Sequence, residues 1–140
     1  MRWLTRLLRQ PERQISELID ARLAAAALLY EVARADGRFD PTETRALLAR
    51  LMTRWQVPEQ AAGDLLDQAG DTAESVVDLH PLVHSLRQHW GQPERIRLVH
   101  DMWAVAHADG HVDPLEEHVI RRVADLLHVP HSEFIRGKLQ

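Results

Sequence analysis

Apolar residues recur along this chain at helical spacing, and short turns interrupt them. After Pro11 they fall at Ile15, Leu18, Ile19, Leu23, Ala26, Leu29 and Ala33, the three-and-four rhythm of a helix face. The Ala-rich middle of this stretch is apolar on more than one side, as expected of a helix buried at the centre of a bundle. A second helix is expected after Pro41, with Leu47, Leu48, Leu51 and Trp55 inward, and a third from Pro58 to about Ala69, where Gly70 and Asp71 read as a break. Asp78 is placed to cap a fourth through Leu79, Leu82, Val83, Leu86 and Trp90, with Pro81 tolerated in its first turn and Gly91 closing it. Pro93 opens a fifth over Ile96, Val99, Met102, Trp103 and Ala106. Pro114 opens a sixth over Leu115, Val119, Val123, Leu126 and Leu127, and Pro130 precedes a short last one. No stretch alternates like a strand. The expectation is all-α: a compact single-domain bundle of about seven helices over residues 12–140, preceded by a short basic amphipathic segment at 1–11.

Composition narrows the chemistry. The chain has 140 residues, 45% apolar and 27% charged, which suits one globular domain with its own core. With no cysteine, disulfide frameworks, thiolate zinc sites, iron–sulfur clusters and a cysteine nucleophile are excluded, and a reducing cytoplasm is the expected setting. The net charge is −4 and the 17 basic residues are dispersed, so nucleic acid is not an expected partner. No charge-free run exceeds the length of Leu23 to Tyr30, far short of the roughly 20 residues that span a bilayer. Near the N-terminus Arg2, Arg6 and Arg9 interrupt Trp3, Leu4, Leu7 and Leu8. That pattern is not a signal-peptide core. It suits either a helix docked on the domain or a turn lying on an anionic membrane surface.

The most informative feature is an internal repeat. Ala35-Asp36-Gly37-Arg38-Phe39-Asp40-Pro41-Thr42-Glu43 returns 73 residues later as Ala108-Asp109-Gly110-His111-Val112-Asp113-Pro114-Leu115-Glu116, with six of nine positions identical. Val32-Ala33 matches Val105-Ala106 in the same register, and Val57-Pro58 matches Val129-Pro130 after a one-residue gap. Helix, turn and helix are therefore duplicated as a unit, and a pseudo-twofold pair of helical hairpins is expected. Two copies are too few for a solenoid, which needs about three.

Much of the turn follows from helix capping. Gly37 and Gly110 stand where a helix ends in a left-handed residue. Asp40 and Asp113 stand at the N-cap, Pro41 and Pro114 at the first helical position, and Glu43 and Glu116 at the third, the spacing of a capping box with Asp in place of Ser or Thr. Phe39 and Val112 are placed as hydrophobic staples. Asp36 and Asp109 are not covered by this account, because a carboxylate at a helix C-terminus opposes the macrodipole. Either amides of the following turn compensate them, or a hard divalent cation such as calcium, magnesium or manganese does, with Asp36, Asp40, Glu43, Asp109, Asp113 and Glu116 as the oxygen donors. The second alternative requires the two turns to converge. The motif is not an EF-hand, since its Asp-to-Glu span is shorter than the twelve-residue loop.

The doubled A-D-G-x-apolar-D-P-x-E turn, with Asp78-Leu79-His80-Pro81-Leu82 between the copies and Leu126-Leu127-His128-Val129-Pro130 near the end, resembles the TerB family of tellurite-resistance proteins and TerB-like domains. The resemblance covers about residues 15–137. It implies a compact all-helical cytoplasmic domain, a role in tellurite or stress resistance, protein partners linked to the inner membrane face, and an acidic ion site at those six positions. It implies no catalytic activity, and no J-domain accompanies it, so a co-chaperone role does not carry over. A divalent-ion sensor without a tellurite role is the alternative reading.

All nine histidines lie from His80 onward. His80 and His84 are one turn apart and could share zinc, but a third ligand is needed, and surface positions explain them more simply. Asp78, His80 and Ser85 do not by themselves define a triad, and no phosphate-binding loop or nucleophile elbow occurs. A binding module is expected rather than an enzyme.

Overall fold

The computed structural model describes residues 20–37 and 39–140. Among them are seven helices and no strand: α1 (Ala21–Ala33), α2 (Pro41–Trp55), α3 (Glu59–Ser75), α4 (His80–His89), α5 (Gln92–Ala106), α6 (Pro114–Leu126) and α7 (His131–Lys138). The expected all-α class and the helix order are both found. The N-terminal segment at 1–11 and the expected start of the first helix at Ile15 lie outside the described residues.

α1 is the hub. Asp20 caps it by accepting from the Leu23 N–H at 2.8 Å, and Leu23 through Leu29, with Val32 and Ala33, are all buried. Its alanines present little bulk, so neighbouring helix axes can come close on every side. α1 accordingly packs against α2, α3, α4, α5 and α6. The duplication appears as two hairpins, α1–α2 and α5–α6, with α1 against α5 and with α1–α6 and α2–α5 as equivalent cross-packings. Even the distal ends repeat. Gln56 (φ 51) and His128 (φ 58) are both left-handed, and each is followed by a Val whose N–H bonds back into its helix, Val57 to the Met52 carbonyl and Val129 to that of Ala124. The following proline ends each helix for good.

Three expectations need correction. Leu115, read with the apolar face of α6, is 55% exposed. α3 does not stop near Ala69 but runs through Ser75. Gly70 is no breaker here: a Cβ at that position would lie 3.1 Å from the Tyr30 ring, so its missing side chain lets α3 lie close on α1. Phe39 is not a staple within its own helix, which would place it against Thr44 at the fourth helical position. Its ring packs on Tyr30 at 5.0 Å between centroids and stays 40% exposed.

α7 closes the core beneath Trp103, which is fully buried between the edge of Phe134 and a stacked His107. Gly137 touches this indole, and a Cβ there would sit 2.5 Å from Trp103 Cδ1. Gly137→Ala gains helix propensity of about 1 kcal/mol but forces an immovable ring. We expect a net loss of about 1–2 kcal/mol, read as a lowered denaturant midpoint at unchanged m-value. An unchanged or raised midpoint would show that this contact yields.

Candidate cation site between the duplicated turns

The two turns are built alike. Gly37 (φ 80) and Gly110 (φ 82) both take the left-handed conformation, and their N–H groups bond the equivalent carbonyls of Arg34 and His107. Asp40 then accepts from the Thr42 N–H at 2.7 Å, and Asp113 from the Leu115 N–H at 2.8 Å. These aspartates are N-caps, as the spacing predicts. The reciprocal half of the capping box is completed in the second copy only, where Glu116 Oε1 accepts from the Asp113 N–H at 2.9 Å.

The pseudo-twofold brings the turns together. Carboxylate oxygens of Asp36, Glu43 and Glu116 all lie within 4.8 Å of one another. Glu43 and Glu116 are each only 1% exposed, and Asp36 is half-buried. With both glutamates ionised, Oε2 of each is buried with no hydrogen-bond donor to satisfy it, an expensive state for an anionic oxygen, and a proton on one lets it bond the other. Asp109 is exposed, and its Oδ1 accepts from the His111 N–H at 2.9 Å, so the following turn compensates this aspartate. Its charge still bears on both glutamates. Of the six expected acids, then, three converge, Asp109 stands at the edge, and Asp40 and Asp113 are occupied in capping.

Crowding and burial alter these acids. Glu43 is pushed up to about 8, chiefly by burial, then by its hydrogen bond to Glu116 and by the charges of Glu116, Asp109 and Asp36. Burial also raises Glu116, although the Asp113 amide and the Glu43 contact oppose the rise. Near neutral pH a proton on Glu43 therefore lets two like groups share the cleft. A hard cation would answer the same need. Two ligand atoms on opposite sides of a calcium ion are about 4.6–5.2 Å apart, so oxygens this close can share one ion, and the two orphaned Oε2 atoms supply free lone pairs. The donor set thus fits a hard divalent ion.

His80 and His84 gather no third ligand: the only group of three or more potential ligand side chains among the described residues is the carboxylate cluster. What the repeat alone did not separate was the fate of its acids. Glu43 and Glu116 precede the inward-facing Leu47 and Ile120 by one helical turn, and that offset is the signal that they enter the interior.

The fold and cleft define a class: an all-helical domain made of two duplicated hairpins that join an acidic residue cluster at their pseudo-twofold axis. The family model for the tellurite resistance protein TerB matches residues 22–139, and the chain belongs to the TerB family. A protein of unknown function from Porphyromonas gingivalis has the same fold at a TM-score of 0.60 and 17% identity, over 85% of this chain and 94% of that one. No curated protein matches the chain.

Proposed function

We propose that this domain is a non-enzymatic TerB-type module that binds a hard divalent cation between its duplicated turns and acts through protein partners at the inner membrane face in tellurite or stress resistance. The cation reading rests on one observation above the rest: two buried glutamates, one from each copy, present donor-less Oε2 atoms in a cluster completed by Asp36. Asp36, Glu43 and Glu116 would hold the ion, and Asp109 would add long-range charge. Bound there, the ion neutralises the cleft and joins the two hairpins. Family membership supports the stress role, and the repeat supports a scaffold. No helix among the described residues is long and apolar enough to cross a membrane, so membrane proximity would come from partners or from Trp3, Leu4, Leu7 and Leu8, which lie outside the described residues.

The test is an amide-resolved NMR titration of the labelled protein with calcium, magnesium and manganese, following Gly37 and Gly110. We expect saturable changes at both glycines, with affinity lowered at least tenfold in Asp36→Asn and Glu116→Gln, a buried charge contact being worth more than about 1.4 kcal/mol. Glycines unmoved at millimolar ion would reduce the cluster to a strained cap pair. Binding that survives both substitutions would place the ion elsewhere.

A further inference from the structure

α3 carries a feature that the cation cleft does not use. Its seventeen residues include Glu59, Asp64, Asp67, Asp71 and Glu74 and no basic side chain. Asp64, Asp67, Asp71 and Glu74 follow i, i+3, i+7, i+10 spacing and so form one stripe along the helix. Like charges three and four residues apart cost a helix a few tenths of a kcal/mol per pair, and among the described residues only Glu74 meets relief, from the Tyr30 hydroxyl and the charge of Arg34. Among the described residues none of these acids is paired with a basic side chain, and Glu74 alone has a hydrogen-bond partner, the Tyr30 hydroxyl at 2.9 Å. Arg34, the nearby cation, is held by Glu31 and the Ala73 carbonyl.

Alongside the stripe runs an open groove of about 530 Å³, lined by Tyr30, Phe39, Leu66, Asp67, Gly70, Asp71 and Glu74. Its floor is apolar and aromatic, and one edge is acidic. Gly70 keeps the floor low, since any side chain there would meet Tyr30. Phe39 forms a wall and is one of the few large apolar side chains left substantially exposed among the described residues. An apolar trough beside unpaired carboxylates at helical spacing matches one kind of occupant: a helix with an apolar face and a flanking row of Arg or Lys.

We propose that this groove on α3 is the docking surface for a basic amphipathic helix of a partner protein, with the apolar face of that helix on Tyr30, Phe39 and Leu66 and its cations along Asp64, Asp67, Asp71 and Glu74. The inference gives the partner-binding part of the functional reading a surface and rests on that part alone. An anionic membrane is the wrong occupant, because the acidic stripe repels it. Phe39 belongs to the same turn as Asp36, so the groove wall and the cation cleft share one short segment.

The experiment titrates labelled full-length protein, in chelator, with a synthetic Leu/Arg helical peptide carrying arginines at i, i+3, i+7 and i+10. A peptide with glutamates replacing the arginines and vesicles of anionic lipid serve as comparisons. We expect saturable changes centred on Gly70 and the Phe39 ring, steep weakening with salt, and about tenfold or greater loss of affinity in Asp67→Asn/Asp71→Asn and in Phe39→Ala. The Asp pair is on the surface, so the proposal remains testable even if Phe39→Ala folds poorly. Equal affinity in the Asp67→Asn/Asp71→Asn protein, changes centred on Gly110, equal binding of the acidic peptide, or binding of the vesicles through Gly70 would each overturn it. Because chelator removes divalent ions, failure here leaves the cation reading standing, and failure of the cation titration leaves this one.

Discussion

Glu43→Gln is expected to stabilise the cation-free protein at pH 8 and above while weakening its cation affinity about tenfold or more. In the folded chain burial lifts Glu43 from its ordinary value of 4.5 to about 8, so the native state holds a proton that the unfolded chain has released. Stability from this group is fully present below about pH 4.5 and is lost as pH rises through about 8. A tenfold change in proton affinity between the folded and unfolded chains is worth ~1.4 kcal/mol, which puts the loss at about 3–5 kcal/mol. Glutamine keeps the shape, carries no charge, and can donate through Nε2 to the orphaned Glu116 Oε2, so the variant should lack most of this decline. Glu117 offers an internal contrast. Lys138 holds its carboxylate below the usual range, so its contribution is lost only as the solution becomes more acidic. Denaturant unfolding at half-unit steps from pH 5 to pH 9, in chelator, would show the two curves diverging toward alkaline pH. Parallel curves, or a variant less stable at pH 8, would mean that the buried glutamates are satisfied in some other way.

That a residue can be costly to the empty fold and central to binding explains which parts of this molecule were legible in its sequence. Caps, turn glycines and helix order are local: Asp40, Asp113, Gly37 and Gly110 act within four residues of themselves, and their identities announce what they do. The duplication extended that to the long-range pairing of hairpins. Two glycines with different tasks were harder to distinguish. Gly37 is needed for its positive φ, whereas Gly70 is needed because Tyr30, forty residues earlier, lies on it, and only the second meaning depends on tertiary structure. Phe39 similarly reads as a local staple and is in fact a partner of Tyr30. Within the site, spacing marked Asp40 and Asp113 as caps and Glu43 and Glu116 as their capping-box partners, and left Asp36 and Asp109 without an assigned role. That Asp36, Glu43 and Glu116 converge while Asp109 stays at the edge depends on how the two hairpins meet across the pseudo-twofold, which no spacing within one copy encodes. The bidentate pairing of Arg54 with the buried Asp101, both contacts at 2.8 Å, joins α2 to α5 and left no sequence signal for the same reason.

The proton on Glu43 also sets how cation affinity should depend on pH. Below pH 8 an ion entering between Asp36, Glu43 and Glu116 must displace that proton, because metal-ligating carboxylates are deprotonated. Apparent affinity should therefore rise by up to about tenfold for each pH unit between pH 6 and pH 8 and level off above it. An ordinary surface carboxylate cluster, already ionised above about pH 5, would show no such slope. Calorimetry at pH 6.5 in buffers of different ionisation enthalpy should register about one proton released per ion bound, and the same ion should reverse the alkaline loss of stability by mass action. Affinity that stays flat from pH 6 to pH 8 with no proton released would place binding outside the glutamate pair, even if Gly37 and Gly110 shift. A steep slope that disappears in Glu43→Gln would instead identify the buried proton and the cation as alternative occupants of one cleft, making the occupancy of this domain sensitive to pH as well as to ion concentration.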